Sequence, residues 1–518
     1  MIDDQAIDSQ LDEVLTPDVD PVAAGVTLGK IAAWAGENPA EMFVAAARRA
    51  GDYPPADPAV VAAILRIMHN AVLSAGRELI DVIRVDTLTD LIDALPPAVP
   101  NAYLPLHLLA LKSSDQSVAM LVDRLAERPP GDWMEAGQVL SPLMQRDDWS
   151  IDSFFPAALD LIAAPTLAAP VLDIASYVHR TRDVDPHPAA GRIAMLNHLL
   201  GEVTQRLAKF EEDPRSFGDD VAEVGDRLGS AVALAVSLCD NVGLIGDETS
   251  IGKLNQTVTL RHRRVQCEAA GALARMNQPL GRERLIDLSS DPAARLRAIA
   301  YADELGFGDQ IDDQHRTDEA TAESELALWL TAPGQMGVPP TGIETIDSRR
   351  LSWPGYDHPV DVHLVRFEYN FGTQVYSNIG ITGPVVFALS ADVADLPIDD
   401  IYAIYAGWHV EHDEIFTVNP ADANQAQQGV ITAMATHLQR EGFIDLKPKL
   451  MGVFLDEVAT VFAAKSDENE SEMLVVTDGL ETITQVIAGR LRPLSPDDVF
   501  NLFKGRKILR TFNAGSAP

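Results

Sequence analysis

The segment of the sequence richest in groups that can bind a metal ion covers residues 408–414 and reads Trp-His-Val-Glu-His-Asp-Glu. Imidazole and carboxylate groups are ligand types that zinc and similar transition metals accept. If this segment is helical, His409 and His412 lie on one face, because residues three apart on a helix are neighbours. His409, His412 and Glu411 are therefore the candidate metal ligands, and they suggest a metal-dependent hydrolase or a metal sensor.

The spacing of these histidines differs from that of known zinc enzymes. The motifs His-Glu-x-x-His and His-x-x-Glu-His place their histidines four apart, which aims both rings at one ion. Here His409 and His412 are only three apart. His358 and His363 precede the segment and would have to converge with it through tertiary contacts. The alternative, which we favour, is a solvated acidic segment at the end of a helix.

Arginine is concentrated between residues 261 and 297 of this otherwise acidic chain. Guanidinium groups bind carboxylates and phosphates through paired hydrogen bonds, so the cluster suits an acidic peptide or a phosphorylated partner. The candidate partner-binding residues are Arg261, Arg263, Arg264, Arg295 and Arg297. The alternative, which we favour, is a ladder of arginines that pair with acidic side chains of the same protein.

Other catalytic patterns are missing from the sequence. It contains no Gly-x-Gly-x-x-Gly or Gly-Lys-Ser/Thr phosphate-binding loop and no Gly-x-Ser-x-Gly nucleophile motif. Cys239 and Cys267 lie in Ala-rich segments that we expect to be helical, where a thiol is typically a small buried apolar group. A catalytic thiol is the less favoured alternative, because the sequence fixes no histidine partner. We expect no cofactor.

The stretch from residue 21 to residue 330 predicts one helix after another. Alanine, leucine and valine dominate it, and apolar residues recur at helical spacing, as at Val60, Ile64 and Ile67. Asp-Pro or Asn-Pro pairs punctuate it at 20–21, 38–39, 57–58, 213–214 and 291–292, and Pro-Pro pairs at 96–97 and 129–130. An acidic or amide side chain followed by proline is typical of a helix start. The side chain caps free backbone N–H groups, and proline has no N–H group that would need a partner.

Residues 260–306 carry the clearest repeat signal. The pattern Ala-x-x-Leu at 270–273 recurs at 302–305, and the second copy begins with Asp-Pro-x-x-Arg at 291–295 and ends with Leu-Gly at 305–306. The segment resembles the HEAT-like repeat family, whose short repeats share such a start, an Ala-Ala centre and such an end. The resemblance implies an α-solenoid, in which stacked helix pairs present an extended surface to partners.

The composition changes after residue 330. Residues 331–342 are rich in proline and glycine and predict a linker between domains. Apolar and polar residues then alternate through 360–371, which predicts a half-buried strand. We expect an α+β domain at 343–518 that is smaller than the helical domain at 21–330. The first 20 residues form an acidic arm, either mobile or a short first helix.

Several further elements are expected in the α+β domain from its apolar runs and capping residues. The predicted strands cover residues 374–381, 384–389, 450–455 and 473–477. The predicted helices cover residues 397–406, 420–441 and 478–488, with a last helix starting at 496. The acidic run at 466–472 predicts a solvated loop.

Net charge excludes several classes of partner. The 518 residues include 77 Asp and Glu against 40 Lys and Arg, for a formal net charge of −37. Such a surface repels nucleic-acid phosphates and anionic lipid headgroups, so we expect neither nucleic acid nor membrane as a partner. The acidic start lacks the basic region of a secretory signal, and two cysteines in a chain this long fit a reducing compartment. We therefore expect a cytoplasmic protein.

Together these features predict a mainly α protein, with an N-terminal α-solenoid of HEAT-like repeats followed by a smaller α+β domain. The leading functional hypothesis is a non-enzymatic scaffold or adaptor that binds a protein or peptide, most favourably a basic one because of the acidic surface. The alternative is a metal-binding hydrolase or sensor in the C-terminal domain. Relatives of the repeat family also include lyase-type chromophore-attaching proteins, but the resemblance here is to the repeat alone.

Overall fold

The computed structural model describes residues 4–16, 19–49, 56–76, 80–81, 83–95, 99–112, 114–332, 334–466, 469–487 and 489–514. Within them the chain is mainly helical, and its eight strands all lie in the C-terminal part. Contacts between α-carbons divide the chain into two compact units, Met1–Leu285 and Ile286–Pro518. Each unit is described below by itself.

The first unit is built from α-helices joined by short connections. In chain order they are α1 (Asp4–Val14), α2 (Pro21–Glu37), α3 (Pro39–Arg48), α4 (Pro58–Ala75), α5 (Val85–Ala94), α6 (Leu104–Lys112), α7 (Asp115–Glu127), α8 (Trp133–Leu140), α9 (Pro142–Gln145), α10 (Ile151–Phe154), α11 (Pro165–Thr181), α12 (Ile193–Glu212), α13 (Val221–Ile245), α14 (Ile251–Thr257), α15 (Arg263–Arg275) and α16 (Pro279–Leu288). The last of them crosses the division between the units.

Aspartate followed by proline starts helices as the sequence predicts. The carboxylate of Asp20 accepts a hydrogen bond from the backbone N–H of Ala23 at 2.9 Å, and α2 begins at the proline that follows. Asp57 caps α4 in the same way, through the N–H of Ala59 at 2.8 Å. Each cap satisfies an N–H group that has no partner within the helix. The predicted break at 96–97 lies outside the described residues.

The described part of the acidic N-terminal segment forms a helix. Of the two expected alternatives, a mobile arm or a short first helix, the short helix applies there. Ile7, Leu11 and Val14 of α1 are buried. Their spacing of four and then three residues places them on one helical face, which packs on α2 and α3.

The helices of the first unit contact mainly helices that are close to them in chain order. The largest contacts join α13 with α15, α12 with α13, and α11 with α13. Small residues permit the close approach of α15 and α16, because a Cβ atom on Gly281 would overlap the backbone of Ala274 and Ala270. Ala270 of α15 is itself fully buried.

The second unit combines helices with two antiparallel sheets. Its helices are α17 (Arg295–Glu304), α18 (Asp318–Thr331), α19 (Ile398–His409), α20 (Gln425–Arg440) and α21 (Pro496–Asn513). Its strands are β1 (Gly342–Leu351), β2 (Val360–Phe371), β3 (Gln374–Thr382), β4 (Phe416–Val418), β5 (Phe443–Phe454), β6 (Glu457–Ser466), β7 (Asn469–Thr477) and β8 (Thr482–Val486). The first sheet has the order β1-β2-β3 and the second has the order β4-β5-β6-β7-β8.

Helices α19 and α21 share one hydrophobic core with both sheets. Val362 and Ile381 of the first sheet and Val461 and Val476 of the second belong to the same buried cluster as Phe503 of α21. The helix α20 covers the opposite face of the second sheet, where it forms a separate cluster with β5, β6 and β7. The sheets are therefore held by the helices that pack on them.

The division between the units falls earlier in the chain than the predicted linker at 331–342. The reason is that α18 packs on the first sheet. Leu326 and Leu330 of α18 form a buried cluster with Val365 and Phe367 of β2. The Pro/Gly-rich stretch connects α18 to β1 within one unit, and the N–H groups of Met336 and Gly337 both bond the carbonyl of Leu330.

Some predicted elements of the C-terminal part are confirmed and others are wrong. The last helix from 496 is confirmed, and so is the strand at 360–371, although both of its faces are buried and not one as predicted. The predicted helix at 478–488 is wrong, because Gly479 turns the chain with φ at +87° and the strand β8, rich in β-branched residues, follows. The predicted strand at 384–389 makes only an isolated bridge, from Phe387 to Ile381. Strands β1, β4 and β6 were not predicted.

The predicted acidic loop at 466–472 is mostly strand. Strand β7 begins at Asn469 and pairs with β6, and residues 467–468 lie outside the described part of the chain. The acidic side chains of this stretch do not prevent β7 from pairing with β6. The hydrophobic residues from Met473 onward belong to the same strand and fix its register.

Two helices of the described residues are long and apolar enough to cross a membrane by length and composition. They are Pro58–Ala75 and Val221–Ile245, and 44% and 50% of their most apolar windows are buried inside the protein. The core helix of a soluble protein passes the same test, so this observation is weak evidence for a membrane span.

Candidate functional site

The predicted metal segment does not form one helical face. Helix α19 ends at His409, and Val410 follows with φ at −69° and ψ at 121°, which is extended backbone. His412 therefore lies beyond the helix. His409 and His412 could share a face only if the helix continued for another turn. The expected shared face is therefore wrong.

Each histidine of that segment already has a ring partner. The indole Nε1 of Trp353 donates a hydrogen bond to Nδ1 of His409 at 2.8 Å. Nδ1 of His412 accepts a hydrogen bond from the backbone N–H of Glu414 at 3.2 Å. Burial lowers the pKa of His409, and the negative charge of Glu411 opposes that shift. Among the described residues, no group of three or more His, Cys, Asp or Glu side chains is placed to hold a metal ion.

Arg261, Arg263 and Arg264 lie on the surface of the first unit, at the start of α15. The backbone N–H groups of Arg261 and His262 both donate to the carboxylate of Glu211, at 2.6 and 3.1 Å. The guanidinium of Arg263 donates to the side-chain oxygen of Gln266 at 3.2 Å. These contacts fix the turn before the helix, and they leave the three side chains exposed at one place.

Arg295 is not a surface residue, which corrects its assignment as a candidate partner-binding residue. Its side chain is buried and donates to the carbonyl oxygens of Ala320 and Ser289, and it forms an ion pair with Glu323 at 3.1 Å. Arg297 is exposed, and its guanidinium lies over the ring of Tyr301 at 4.4 Å. The arginine of the Asp-Pro-x-x-Arg pattern thus ties α17 to α18.

Both cysteines are fully buried in the first unit. Burial raises the pKa of Cys239, and the nearby charges of Glu268 and Asp240 raise it further. A thiol with a raised pKa holds little thiolate and is a weak nucleophile. The expectation that Cys239 behaves as a small buried group agrees with this environment.

The second unit contains a cleft of about 330 Å³ that the sequence analysis did not identify as a site. Helix α18 forms one wall with Asp318, Thr321, Ala322 and Glu325. These residues follow the spacing of one helical face. The other wall comes from β2 and from the connections before β2 and after β3. We call this the His363 cleft, after the imidazole that lines it.

His363 is the most buried polar group of that lining, with 9% of its surface exposed. Its Nδ1 lies 2.8 Å from the hydroxyl of Ser348, on the neighbouring strand β1. Burial raises the pKa of the Glu325 carboxyl, and the nearby His363 opposes that shift. A histidine and a carboxylate thus face the same space from opposite walls.

The shape of the cleft depends on close backbone packing beside it. Gly383 has φ at +109°, and a Cβ atom there would overlap the carbonyl oxygen of Asp361. Only glycine combines this backbone with this contact. The hydroxyl of Tyr356 donates to the carbonyl oxygen of Pro384 at 2.9 Å, which fixes the loop before β2. Asp361 is exposed and pairs with Arg350 at 2.9 Å.

A signal for this cleft was present in the sequence. Asp318, Thr321 and Glu325 lie on one polar face of α18. The buried Leu326 and Leu330 lie on another face of the same helix. What the sequence lacked was the pairing of that face with His363, since the sequence analysis placed this histidine with the distant segment at 408–414. Only the packing of α18 on β2 brings the two together.

The fold and the site define a mainly helical protein whose C-terminal unit carries a polar cleft between a helix and a small antiparallel sheet. No protein-family model and no curated protein matches this sequence. A solved structure described as lipid–protein interactions in lipovitellin aligns with 85% of this chain at 11% identity and a TM-score of 0.28. This chain spans 49% of that structure's length. A TM-score this low carries no argument about fold or function.

Proposed function

We propose that this chain is a non-enzymatic protein-binding scaffold or adaptor of the cytoplasm, with HEAT-like helix pairs stacked in its first unit. It works without a cofactor, and its partner is a basic protein or peptide. The observation that carries the proposal is the packing of the first unit, in which helices contact mainly helices one to three places away in the chain.

Packing between near neighbours favours a repeat architecture for a physical reason. In a solenoid each helix pair buries its apolar face against the adjacent pairs alone, so contacts stay local in the sequence. The buried Ala270 and the close approach at Gly281 are typical of such helix pairs, because small residues let the two backbones come together. Stacked pairs leave side chains of successive helices available to one long partner.

The charge of the chain favours a basic partner. With a net charge of −37, the protein attracts cationic segments over a distance, and this attraction raises association rates more than it raises affinity. The exposed Arg261, Arg263 and Arg264 form a local exception, and they suit an acidic patch within the same partner. Specificity must come from shape and from placed charges, since bulk attraction does not distinguish one basic sequence from another.

The proposal is tested with an array of basic peptides in which every peptide is paired with a scrambled version of the same composition. The full chain is applied at roughly 0.15 M salt, where exposed charges are screened beyond about 8 Å. We expect a subset of peptides to bind at least about tenfold more tightly than their scrambled versions, a difference of about 1.4 kcal/mol.

The scrambled peptide is the matched control, because it has the same composition and the same net charge as the peptide it is paired with. Equal retention of peptides and scrambled versions would mean that only bulk attraction acts, and the scaffold proposal would then be abandoned. Loss of all binding at that salt concentration would have the same meaning.

A further inference from the structure

We propose that the His363 cleft binds an organic cation, namely the guanidinium or ammonium end of a basic side chain. The proposal deepens the function proposed above and rests on it, because a basic partner protein is the source of that side chain. The cleft volume of about 330 Å³ lies at the lower end of the range for ligand sites, about 300–1,000 Å³.

The charges of the lining favour a cation. Asp318 and Glu325 face the cleft from α18, and Asp361 faces it from β2. Arg350 forms an ion pair with the carboxylate of Asp361, and both of these side chains are more than half exposed. Because both partners of this pair are exposed and solvent weakens their attraction, a ligand cation can replace Arg350 at Asp361. Glu325 is half-buried, so its carboxylate interacts more strongly with a cation than a fully exposed one does.

His363 supplies an observation independent of the carboxylates. Its side chain is nine-tenths buried, and its Nδ1 is engaged by Ser348. Within the part of the chain that the structure describes, its Nε2 has no hydrogen-bond partner. Because His363 lines the cleft, this nitrogen is the ring atom left for a ligand. When Nδ1–H donates to the serine hydroxyl, Nε2 accepts, and a guanidinium or ammonium group is all donor.

The remaining lining discriminates among ligands. Tyr356 belongs to the lining, and aromatic residues stabilise organic cations near their rings. A phosphate or carboxylate would meet three carboxylates. The described residues place no set of three ligands around one point for a metal ion. An alkyl group ending in a planar cation, by contrast, matches a cleft with apolar walls at Ala322 and Val360.

The first experiment titrates the full chain with butylguanidinium and, in parallel, with butylurea, which has nearly the same shape and no charge. Binding is measured by calorimetry at about pH 8, above the ordinary histidine pKa of about 6.5. We expect butylguanidinium to bind and butylurea to bind at least about tenfold more weakly. Equal binding of the two, or binding of neither, would overturn the assignment of the cleft as a cation site.

Variants separate the cleft from the general acidity of the chain. Glu325→Gln keeps the side-chain shape and removes one charge from the cleft, and we expect it to weaken butylguanidinium binding at least about tenfold. Glu414→Gln removes one charge from an exposed residue outside the lining and is expected to leave binding within about twofold. Equal effects of the two variants would contradict the proposal.

A second readout is measured on the unchanged chain, and a variant serves only to assign one signal. In the chain labelled with ¹⁵N-histidine, the Nε2 shift of His363, assigned by its loss in His363→Gln, is expected to move on addition of butylguanidinium. The ring of His412, which lies outside the cleft, is expected not to move. Binding that leaves the His363 signal unchanged would place the cation elsewhere.

The two proposals fail in different ways. If butylguanidinium binds in the cleft but no peptide outperforms its scrambled version, the cleft takes free small cations and the scaffold proposal falls. If peptides bind with sequence preference and neither Glu325→Gln nor excess butylguanidinium weakens them, the scaffold proposal stands and the cleft assignment falls. Competition of butylguanidinium with the preferred peptides supports both.

Discussion

Gly407 of α19 and Gly505 of α21 face each other at the crossing of the two central helices of the second unit. A Cβ atom on Gly407 would lie 3.0 Å from the backbone nitrogen of Gly505, and one on Gly505 would lie 2.8 Å from the backbone nitrogen of Gly407. A Cβ on Gly505 would also overlap the carbonyl oxygen of Ala403. The helices are in backbone contact, and no side chain separates them there.

Replacing Gly505 with alanine is expected to destabilise the second unit by about 3 kcal/mol or more, since rigid backbone must move to admit one methyl group. The measurement is the free energy of unfolding in denaturant. Gly429→Ala in α20 is the control, because nothing lies within 4 Å of a Cβ there and an exposed helical glycine is replaced. That variant should gain about 0.5–1 kcal/mol. A similar small gain for Gly505→Ala would show that the crossing is looser than described.

Lys504 gives a prediction about pH, because its side chain is only 4% exposed. Burial lowers the pKa of its ammonium from 10.5 to about 8. The folded protein therefore binds this proton less tightly than the unfolded chain does. The resulting cost is fully present below about pH 8 and disappears as the pH rises towards 10.5.

Lys504→Met is accordingly expected to stabilise the protein at neutral pH by up to about 3 kcal/mol, at 1.36 kcal/mol for each pKa unit. The gain should shrink when unfolding is measured near pH 10. Lys449→Met, at an exposed position of β5, serves as the control and should change stability little at either pH. A gain for Lys504→Met that does not vary with pH would point to packing instead of charge.

His69 of α4 and His107 of α6 form a pair in the first unit, with Nε2 and Nδ1 separated by 2.9 Å. Burial, together with a smaller contribution from the charge of His69, lowers the pKa of His107 from 6.5 to about 4. The folded state thus resists protonation, and stability contributed by the neutral ring is lost as the pH falls from 6.5 through about 4.

Hydrogen exchange of the α6 amides tests this pair without requiring the whole chain to unfold at once. Protection in the unchanged protein is expected to fall by about 1–3 kcal/mol between about pH 6.5 and pH 4. His107→Gln should show a smaller fall, and His198→Gln, whose side chain is 72% exposed in the unchanged protein, should behave like the unchanged protein. Identical profiles for all three proteins would remove His107 as the cause.

Arg295 separates a folding role from a binding role. Because its buried guanidinium bonds Ala320 and Glu323, Arg295→Ala is expected to lower the free energy of unfolding by about 3–5 kcal/mol. Arg366→Ala removes an exposed ion pair with Glu344 and should cost no more than about 1 kcal/mol. A small loss of stability for Arg295→Ala, together with weaker peptide binding, would instead indicate that Arg295 is a partner-binding residue.

The elements that sequence reasoning identified correctly are those fixed by residues close together in the chain. Ser495 and Asp498 form a reciprocal capping box at the start of α21, and Asp20 caps α2. The alternation of residues 360–371 likewise specifies one strand, although tertiary packing buries both of its faces instead of one. Caps and periodicities of this kind are satisfied within a few residues, so no tertiary contact is needed to predict them.

Features that depend on distant partners could not be predicted in this way. Helix α18 has the composition of the helices before it, and only its burial against Val365 and Phe367 assigns it to the second unit. His409 has the chemistry of a metal ligand, and only its contact with Trp353 shows that Nδ1 is engaged.

The sequence by itself determined that this is an acidic, mainly helical protein with a C-terminal sheet region, because charge, helix caps and strand alternation are local properties. The tertiary structure alone decided where the units divide, which arginine is buried, and that Glu325 and His363 line one cleft. Those outcomes depend on which apolar faces bury one another, a long-range choice that spacing along the chain does not encode.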